Sequence, residues 1–250
     1  MKIICKTDEE IEKIEVAGKM SYDILMNLKS IIKKGITTRQ IDDYVNAYIK
    51  KRKCIPAFLN YEGFPSSCCI SVNDMVVHGI PSTYKLKDGD IVSVDLGVIY
   101  KGYYSDTAYT YIVGTTTKEV EEFVINTQKA LYKGLSLIKD GVCLNDICKA
   151  IESIAVENGY GVVKELTGHG VGLSLHEEPY IPNYSNEDSK SIYLHSGNVI
   201  AIEPMFTIGS EKIRLHSDGW GISTIDKSLA SHFEHTVLVT TSGYRILTGE

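Results

Sequence analysis

Apolar residues recur at helical intervals through Ile11, Ile14, Ile24, Leu28 and Ile31, behind a Thr7–Glu10 pair in capping-box spacing. The pattern predicts an amphipathic helix closed at Gly35. Thr37 with Gln40 opens a second helix, with Ile41, Val45, Tyr48 and Ile49 on its inner face. Strand-type runs then cover 68–72, 90–100 and 103–113. The same succession returns in the second half of the chain. Helical patterns run over 118–138 and 145–158, the latter stopped by Gly159, and strand patterns follow near 161–166, 198–202, 213–217 and 234–239. Helix, helix and antiparallel strands, twice over, is an α+β layout. The strands of both halves are expected to join in one curved sheet covered by helices on one face.

The repetition extends to residue identity. Ile32-Lys33-Lys34-Gly35-Ile36 returns as Ile138-Lys139-Asp140-Gly141-Val142, and Leu86-Lys87-Asp88-Gly89-Asp90-Ile91-Val92-Ser93-Val94-Asp95 returns as Leu194-His195-Ser196-Gly197-Asn198-Val199-Ile200-Ala201-Ile202-Glu203. Two matches at nearly one separation, in the same order, imply two similar halves, 1–113 and 114–250. No Pro- or Ser-rich linker divides them, so the expectation is a single domain over 1–250 with a pseudo-twofold axis.

Composition narrows the function classes. Of 250 residues, 43% are hydrophobic and 23% charged, which suits a packed globular chain. A net charge of −6 argues against the basic face that nucleic acid requires, so no DNA partner is expected. No apolar run approaches the roughly 18 residues of a membrane span, and the short Ile3-Ile4-Cys5 run cannot serve as a secretory signal. The six cysteines contain no C-x-x-C spacing and read as reduced thiols of a cytoplasmic protein.

The chemistry lies in acids at matched positions. Asp95 and Glu203 end the two copies of the longer repeat, where an isolated charged carboxylate would be costly. Capping a helix or pairing with arginine is the plain alternative, but only Arg39, Arg52, Arg214 and Arg245 are present. A tight turn at Lys101-Gly102 would pair Tyr100 with Tyr103 and set Asp95 opposite Ala108 and Asp106 opposite Gly97. Side chains alternate along a strand, so Asp95 and Asp106 become diagonal neighbours roughly 7 Å apart or less. Glu203 and Glu234 should meet similarly in the second half, bringing four acids to one point. Two divalent cations best explain that convergence. His169, flanked by glycines in Gly168-His169-Gly170-Val171-Gly172, offers a fifth ligand.

These residues sit in motifs that resemble the type I methionine aminopeptidases of the pita-bread fold: Val77-His78-Gly79-Ile80-Pro81, Asp95-Leu96-Gly97, Asp106-Thr107-Ala108, Gly168-His169-Gly170, His176-Glu177-Glu178-Pro179, Ile202-Glu203-Pro204 and Phe233-Glu234-His235-Thr236. The resemblance runs through essentially the whole chain. It implies removal of N-terminal methionine from nascent polypeptides with a small second residue, near the ribosome, by a monomer using two divalent ions (Co, Mn, Fe(II) or Zn). It makes Asp106 and Glu234 bridging ligands, gives Asp95 to one ion, and gives His169 and Glu203 to the other. Glu203 would also carry the proton to the leaving amine. His176 and His78 would donate to the substrate. The methionine pocket would be Phe58, Tyr61, Phe64, Cys69, Leu175 and Trp220. Phe58 replaces a familiar smaller Cys, and Leu175 a familiar aromatic. The loop at Ser71-Val72-Asn73-Asp74 resembles the family's monovalent-cation loop. His195, His216, His232 and His235 match no catalytic position, and His235 should face away from Glu234. The rival readings are an Xaa-Pro aminopeptidase of the same fold, disfavoured because Met1 begins almost at the first helix, and a non-catalytic peptide-binding relative, which would usually have lost metal ligands.

Overall fold

Both first-half helix starts are capping boxes in the computed structural model, which describes residues 3–249. Helix α1 spans Asp8–Ile31 and helix α2 spans Thr38–Lys51. In each, the cap threonine accepts from the N3 backbone N–H and the N3 side chain answers the cap N–H. Helix α1 ends at Ile31 rather than Gly35. Ile32 turns extended, and Gly35 sits in the following turn at φ 89°, donating to the Leu86 carbonyl.

Strand β1 (Cys69–Val72) pairs with β2 (Ile91–Tyr100), which pairs along its full length with β3 (Tyr103–Ile112). Lys101 and Gly102 both have positive φ, the two-residue turn that matches strand twist. Along β2, Val92, Val94, Leu96 and Val98 enter a core with Ile24 and Leu28 of α1 and Ile41, Val45 and Ile49 of α2. Burying each such side chain contributes about 1.5–3 kcal/mol. Ser93, Asp95 and Gly97 therefore face the other way.

The second half follows the same order. Helix α3 (Lys118–Leu135) and helix α4 (Leu144–Asn158) cover β6 (Val199–Ile202) and β7 (His235–Val239). The ladder is completed by β4 (Thr167–Gly170) and β5 (Glu177–Pro182) on one side and β8 (Tyr244–Ile246) on the other. Helix α3 stops three residues before the predicted Ile138. Tightened turns carry Ile138 into the core, which is why its periodicity persists. The run at 161–166 contributes only Gly161–Val162 to a strand.

The two ladders meet along a seam made by threonines. The Thr236 hydroxyl accepts from Asp106 N–H and donates to the Asp106 carbonyl, at 3.0 and 2.7 Å. Thr107 donates to the Glu234 carbonyl, Glu234 N–H donates to the Ala108 carbonyl, and Thr110 bonds both backbone groups of His232. This seam joins the halves as expected. It also fixes Asp106 and Glu234, one from each half, by their own backbones.

Candidate metal centre

Asp95 and Asp106 stand opposite Ala108 and Gly97 in the hairpin register, on the face turned from the helices. A Cβ on Gly97 would lie 2.7 Å from the Ser105 carbonyl oxygen, 2.8 Å from Ala57 Cβ and 3.1 Å from Phe58 Cε1, so glycine permits this close packing beside the acids. Glu203 and Glu234 lie one step beyond the Ile202–His235 pair that ends the β6–β7 ladder, directly opposite rather than diagonal. Donor atoms of Asp106, His169 and Glu234 lie within 4.8 Å of one another. His169 Nε2 is 3.4 Å from Glu203 Oε1 and 3.8 Å from Asp106 Oδ2. Asp95 and Glu203 line the same cleft.

His169 belongs to a strand, not a loop. It lies in β4, where the pairing with β5 slips by a bulge between His169 and Gly170, a device that re-aims side chains. A Cβ at Gly168 would come 2.4 Å from the Ala201 carbonyl oxygen, and one at Gly170 2.3 Å from that of Glu178. The flanking glycines thus serve the close approach of β5 and β6. His169 Nδ1–H donates to the Gly170 carbonyl at 2.9 Å, which leaves Nε2 as the lone-pair nitrogen facing the acids.

The donor set suits divalent cations. Burial pushes Asp95 up to about 7 and lifts Asp106, Glu203 and Glu234 well above the ordinary range, with neighbouring carboxylates adding to the rise at Asp106 and Glu234. Asp95 Oδ1 and Asp106 Oδ1 are buried with no hydrogen-bond partner among the described residues. Burial, with His176 nearby, holds His169 down at about 3, so it is neutral and able to ligate. Carboxylates and one imidazole accept most first-row divalent ions.

These shifts set the pH dependence of the metal-free protein. Half-buried His78 and His235 and buried His169, held at about 4, 4 and 3, refuse protons that the unfolded chain takes below about 6.5, so their contribution is complete above that pH. The raised acids act in the opposite sense. Unfolded, they ionise near pH 4, whereas in the folded chain Asp95 holds its proton to about 7 and burial raises Asp106, Glu203 and Glu234 well above the ordinary carboxylate range. Stability without metal should therefore fall as pH rises above about 6.5. Scanning calorimetry of chelator-treated protein checks this. A melting temperature rising from pH 6.5 to 8 would contradict it.

Three histidines surround the acids. His78 lies in the cleft at φ 58°, a left-handed conformation costly for a side chain other than glycine. His176 stacks edge-on against His169 with centroids 4.4 Å apart. The Tyr61 hydroxyl lies 2.9 Å from His176 Nδ1, so Tyr61, expected as pocket wall, also orients this ring. His232 was not singled out by its motif, yet it is buried, with Nε2 3.4 Å from Glu203 Oε2. Its signal was position alone: it lies two residues before Glu234, where an extended chain repeats a face. His235 turns away, onto Tyr132 and Thr248, as expected. His195 and His216 lie outside the cleft, near Asp140 and Ser223.

The six predicted pocket residues form one apolar cluster. Phe58, Phe64, Cys69 and Leu175 are buried, with Tyr61 and Trp220 packed against them. Ile80, Ile99 and Tyr104 join the cluster. It walls one side of a cavity of about 550 Å³ whose other side is the acids. Cys69 pairs with Asp95 in the β1–β2 register, so wall and acid are neighbours by strand pairing. Asn73, outside the cleft, fastens its loop: its side chain donates to Asp90 Oδ1 and accepts from Ile91 N–H. All six cysteines are free thiols. Among the described residues, no helix is long and apolar enough to cross a membrane.

Comparison with known proteins gives a consistent result. Residues 12–241 match the family described as Metallopeptidase family M24. The chain is 42% identical over 246 residues to "Methionine aminopeptidase 1" of Bacillus subtilis, covering 98% of this chain and 99% of that one. The crystal structure of methionine aminopeptidase from Thermotoga maritima aligns over all of both chains, with TM-score 0.97 and 42% identity. Prolidase from Pyrococcus furiosus aligns less closely, with TM-score 0.78 and 28% identity over 99% of this chain and 66% of that one.

Proposed function

The chain belongs to metallopeptidase family M24 and removes N-terminal methionine by metal-dependent hydrolysis, and we propose that it does so with two divalent cations held by Asp95, Asp106, His169, Glu203 and Glu234. The convergence of Asp106, His169 and Glu234 donor atoms within 4.8 Å carries this reading. Asp106 and Glu234, fixed on the seam, would serve both ions. Asp95 would hold one, and His169 with Glu203 would hold the other. Bound there, the ions supply Lewis acidity and a water acidic enough to attack a peptide carbonyl at neutral pH.

The chain's own groups do the rest. The Glu203 carboxylate takes the proton of the attacking water and delivers it to the leaving amine. His232 packs beside that carboxylate, with Nε2 3.4 Å from Glu203 Oε2 and no hydrogen bond between them. With Nδ1 accepting from Tyr61, His176 presents Nε2–H to the scissile amide. Burial, with His232 and His176 nearby, holds His78 down at about 4, so it is a neutral donor to the next substrate residue at pH 7. A monovalent cation at the Asn73 loop belongs to the same proposal. So do a single catalytic domain over 1–250, a monomeric state, a cytoplasmic location, and nascent chains at the ribosome as substrates.

The apolar cluster selects methionine at the first position, with a small second residue such as Ala, Gly or Ser. Each missing methylene costs about 1–3 kcal/mol of transition-state binding, or roughly 10- to 200-fold. Phe58→Ala should enlarge the pocket, weaken methionine selection and admit Phe. Measured kcat/KM for Met-, Nle-, Leu- and Phe-Ala-Ser on both proteins checks it, and an unchanged profile would make Phe58 core rather than wall.

Hydrolysis of Met-Ala-Ser against Ala-Pro-Ala, with metal content, across Co, Mn, Fe(II) and Zn tests the whole reading. Met-Ala-Ser should be strongly preferred with two ions bound. Preference for Ala-Pro-Ala would favour an Xaa-Pro specificity, and absence of bound metal a peptide-binding role.

A further inference from the structure

Lys6 lies far from the acids in sequence and outside the cleft, yet it is among the most buried charges in the protein. Its ammonium is 2.5 Å from Glu177 Oε2, and the two side chains are 1% and 8% exposed. The Lys6 backbone N–H is tied to the Gly197 carbonyl, so the lysine projects from an anchored segment rather than a free end. Its stem packs where Gly172 must be glycine: a Cβ there would sit 2.9 Å from Lys6 Cε and 2.7 Å from Ile14 Cδ1, at φ 139°.

Glu177 is the fastening of one loop. While Oε2 takes the lysine, Oε1 accepts from the backbone N–H groups of Leu173 and Ser174, at 2.6 and 2.9 Å. The Ser174 hydroxyl donates to the His176 carbonyl, and the Gly172 carbonyl accepts from Tyr104 N–H. The loop so closed holds Leu175, which is 2% exposed in the pocket cluster, and His176, whose ring meets Tyr61 and His169. Leu175 and His176 therefore both hang on a carboxylate whose charge is balanced from the other end of the chain. A buried carboxylate left without its cation must move or protonate, and either change shifts the loop.

We propose that Lys6, acting through Glu177, is a positioning residue for the loop that carries Leu175 and His176, and so sets first-residue selectivity and turnover without touching substrate or metal. The proposal rests on the assignment of Leu175 and His176 to the substrate side of the site.

The test uses the metal-loaded enzyme with Lys6→Met, which keeps the stem, and Glu177→Gln, which keeps an acceptor for the Leu173 and Ser174 N–H groups. Both should retain wild-type metal content. Their kcat/KM for Met-Ala-Ser should fall roughly 10- to 100-fold, as expected of a slight misplacement away from the chemistry. The loss should lie more in kcat than in KM, and the Leu-Ala-Ser to Met-Ala-Ser ratio should rise. The double variant should be no worse than the poorer single, because both remove one interaction. Wild-type kinetics and selectivity in both singles, or an additive double, overturns the proposal. If a single variant does not fold, the double, which buries no unpaired charge, is measured, and wild-type selectivity in it overturns the proposal. Leu175→Ala and His176→Ala run in parallel. If neither alters turnover or selectivity, the assignment of the loop has failed; if they do while Lys6→Met does not, the positioning role has failed.

Discussion

Asp106→Asn should fold normally and lose at least about 10³-fold in kcat/KM, because the Lewis acidity at stake is worth several kcal/mol at about 1.36 kcal/mol per decade. The side chain keeps its size, and the backbone bonds to Thr236 that place it are untouched. What disappears is one anion of the Asp106–His169–Glu234 cluster, which with Glu234 would be shared by both metal positions. An amide oxygen is a far poorer ligand and cannot bridge two cations. The metal-free variant should also gain on the wild type above neutral pH. There the wild type must hold or ionise an Asp106 carboxyl whose titration burial, followed by the charges of Asp95 and Glu203, lifts well above the ordinary range. Three measurements decide it: metal stoichiometry, kcat/KM for Met-Ala-Ser, and the melting temperature of chelator-treated protein at about pH 8. Near wild-type turnover with two ions bound would refute the two-metal reading.

His78→Ala should hold its metal and lose on the order of 10²-fold in kcat, the usual consequence of removing one transition-state donor. The ring stands in the cleft, 6.4 Å from the Trp220 ring by centroids, on a backbone held at φ 58°. Strain kept at such a position is understandable if the side chain must stay there. Alanine has the same left-handed backbone cost, so the substitution removes the imidazole without relaxing the chain. Because His78 is already neutral at pH 7, no charge beside the metal ligands changes there. Reduced metal content in this variant would mark His78 as a ligand and break the assignment.

The local features of this protein were legible in its sequence because their causes are local. Thr7 with Glu10 and Thr37 with Gln40 announce helix starts, since a cap is completed within four residues. The two-residue turn at Lys101-Gly102 fixed the hairpin register, and strand alternation then put Asp95 and Asp106 on one face. The repeated block ending in Asp95 and Glu203 told where the second pair would fall, and His235 was correctly turned away by the same alternation. The family resemblance named Phe58, Tyr61, Phe64, Cys69, Leu175 and Trp220 together, and the structure packs them in one cluster.

The remainder was decided by contacts between distant residues. Nothing near Thr107, Thr110 or Thr236 says that their hydroxyls knit two ladders into a seam, because each partner lies more than a hundred residues away. The glycines beside His169 suggested close approach, but only the packed sheet shows that the approaching groups are the Ala201 and Glu178 carbonyls. The same holds for Tyr61 on His176, His232 on Glu203 and Lys6 on Glu177. Sequence pattern reports the torsions and faces that a residue shares with its chain neighbours. Which side chain fills the space across from it is settled only when the two halves dock, since that choice depends on shape and desolvation over the whole interface.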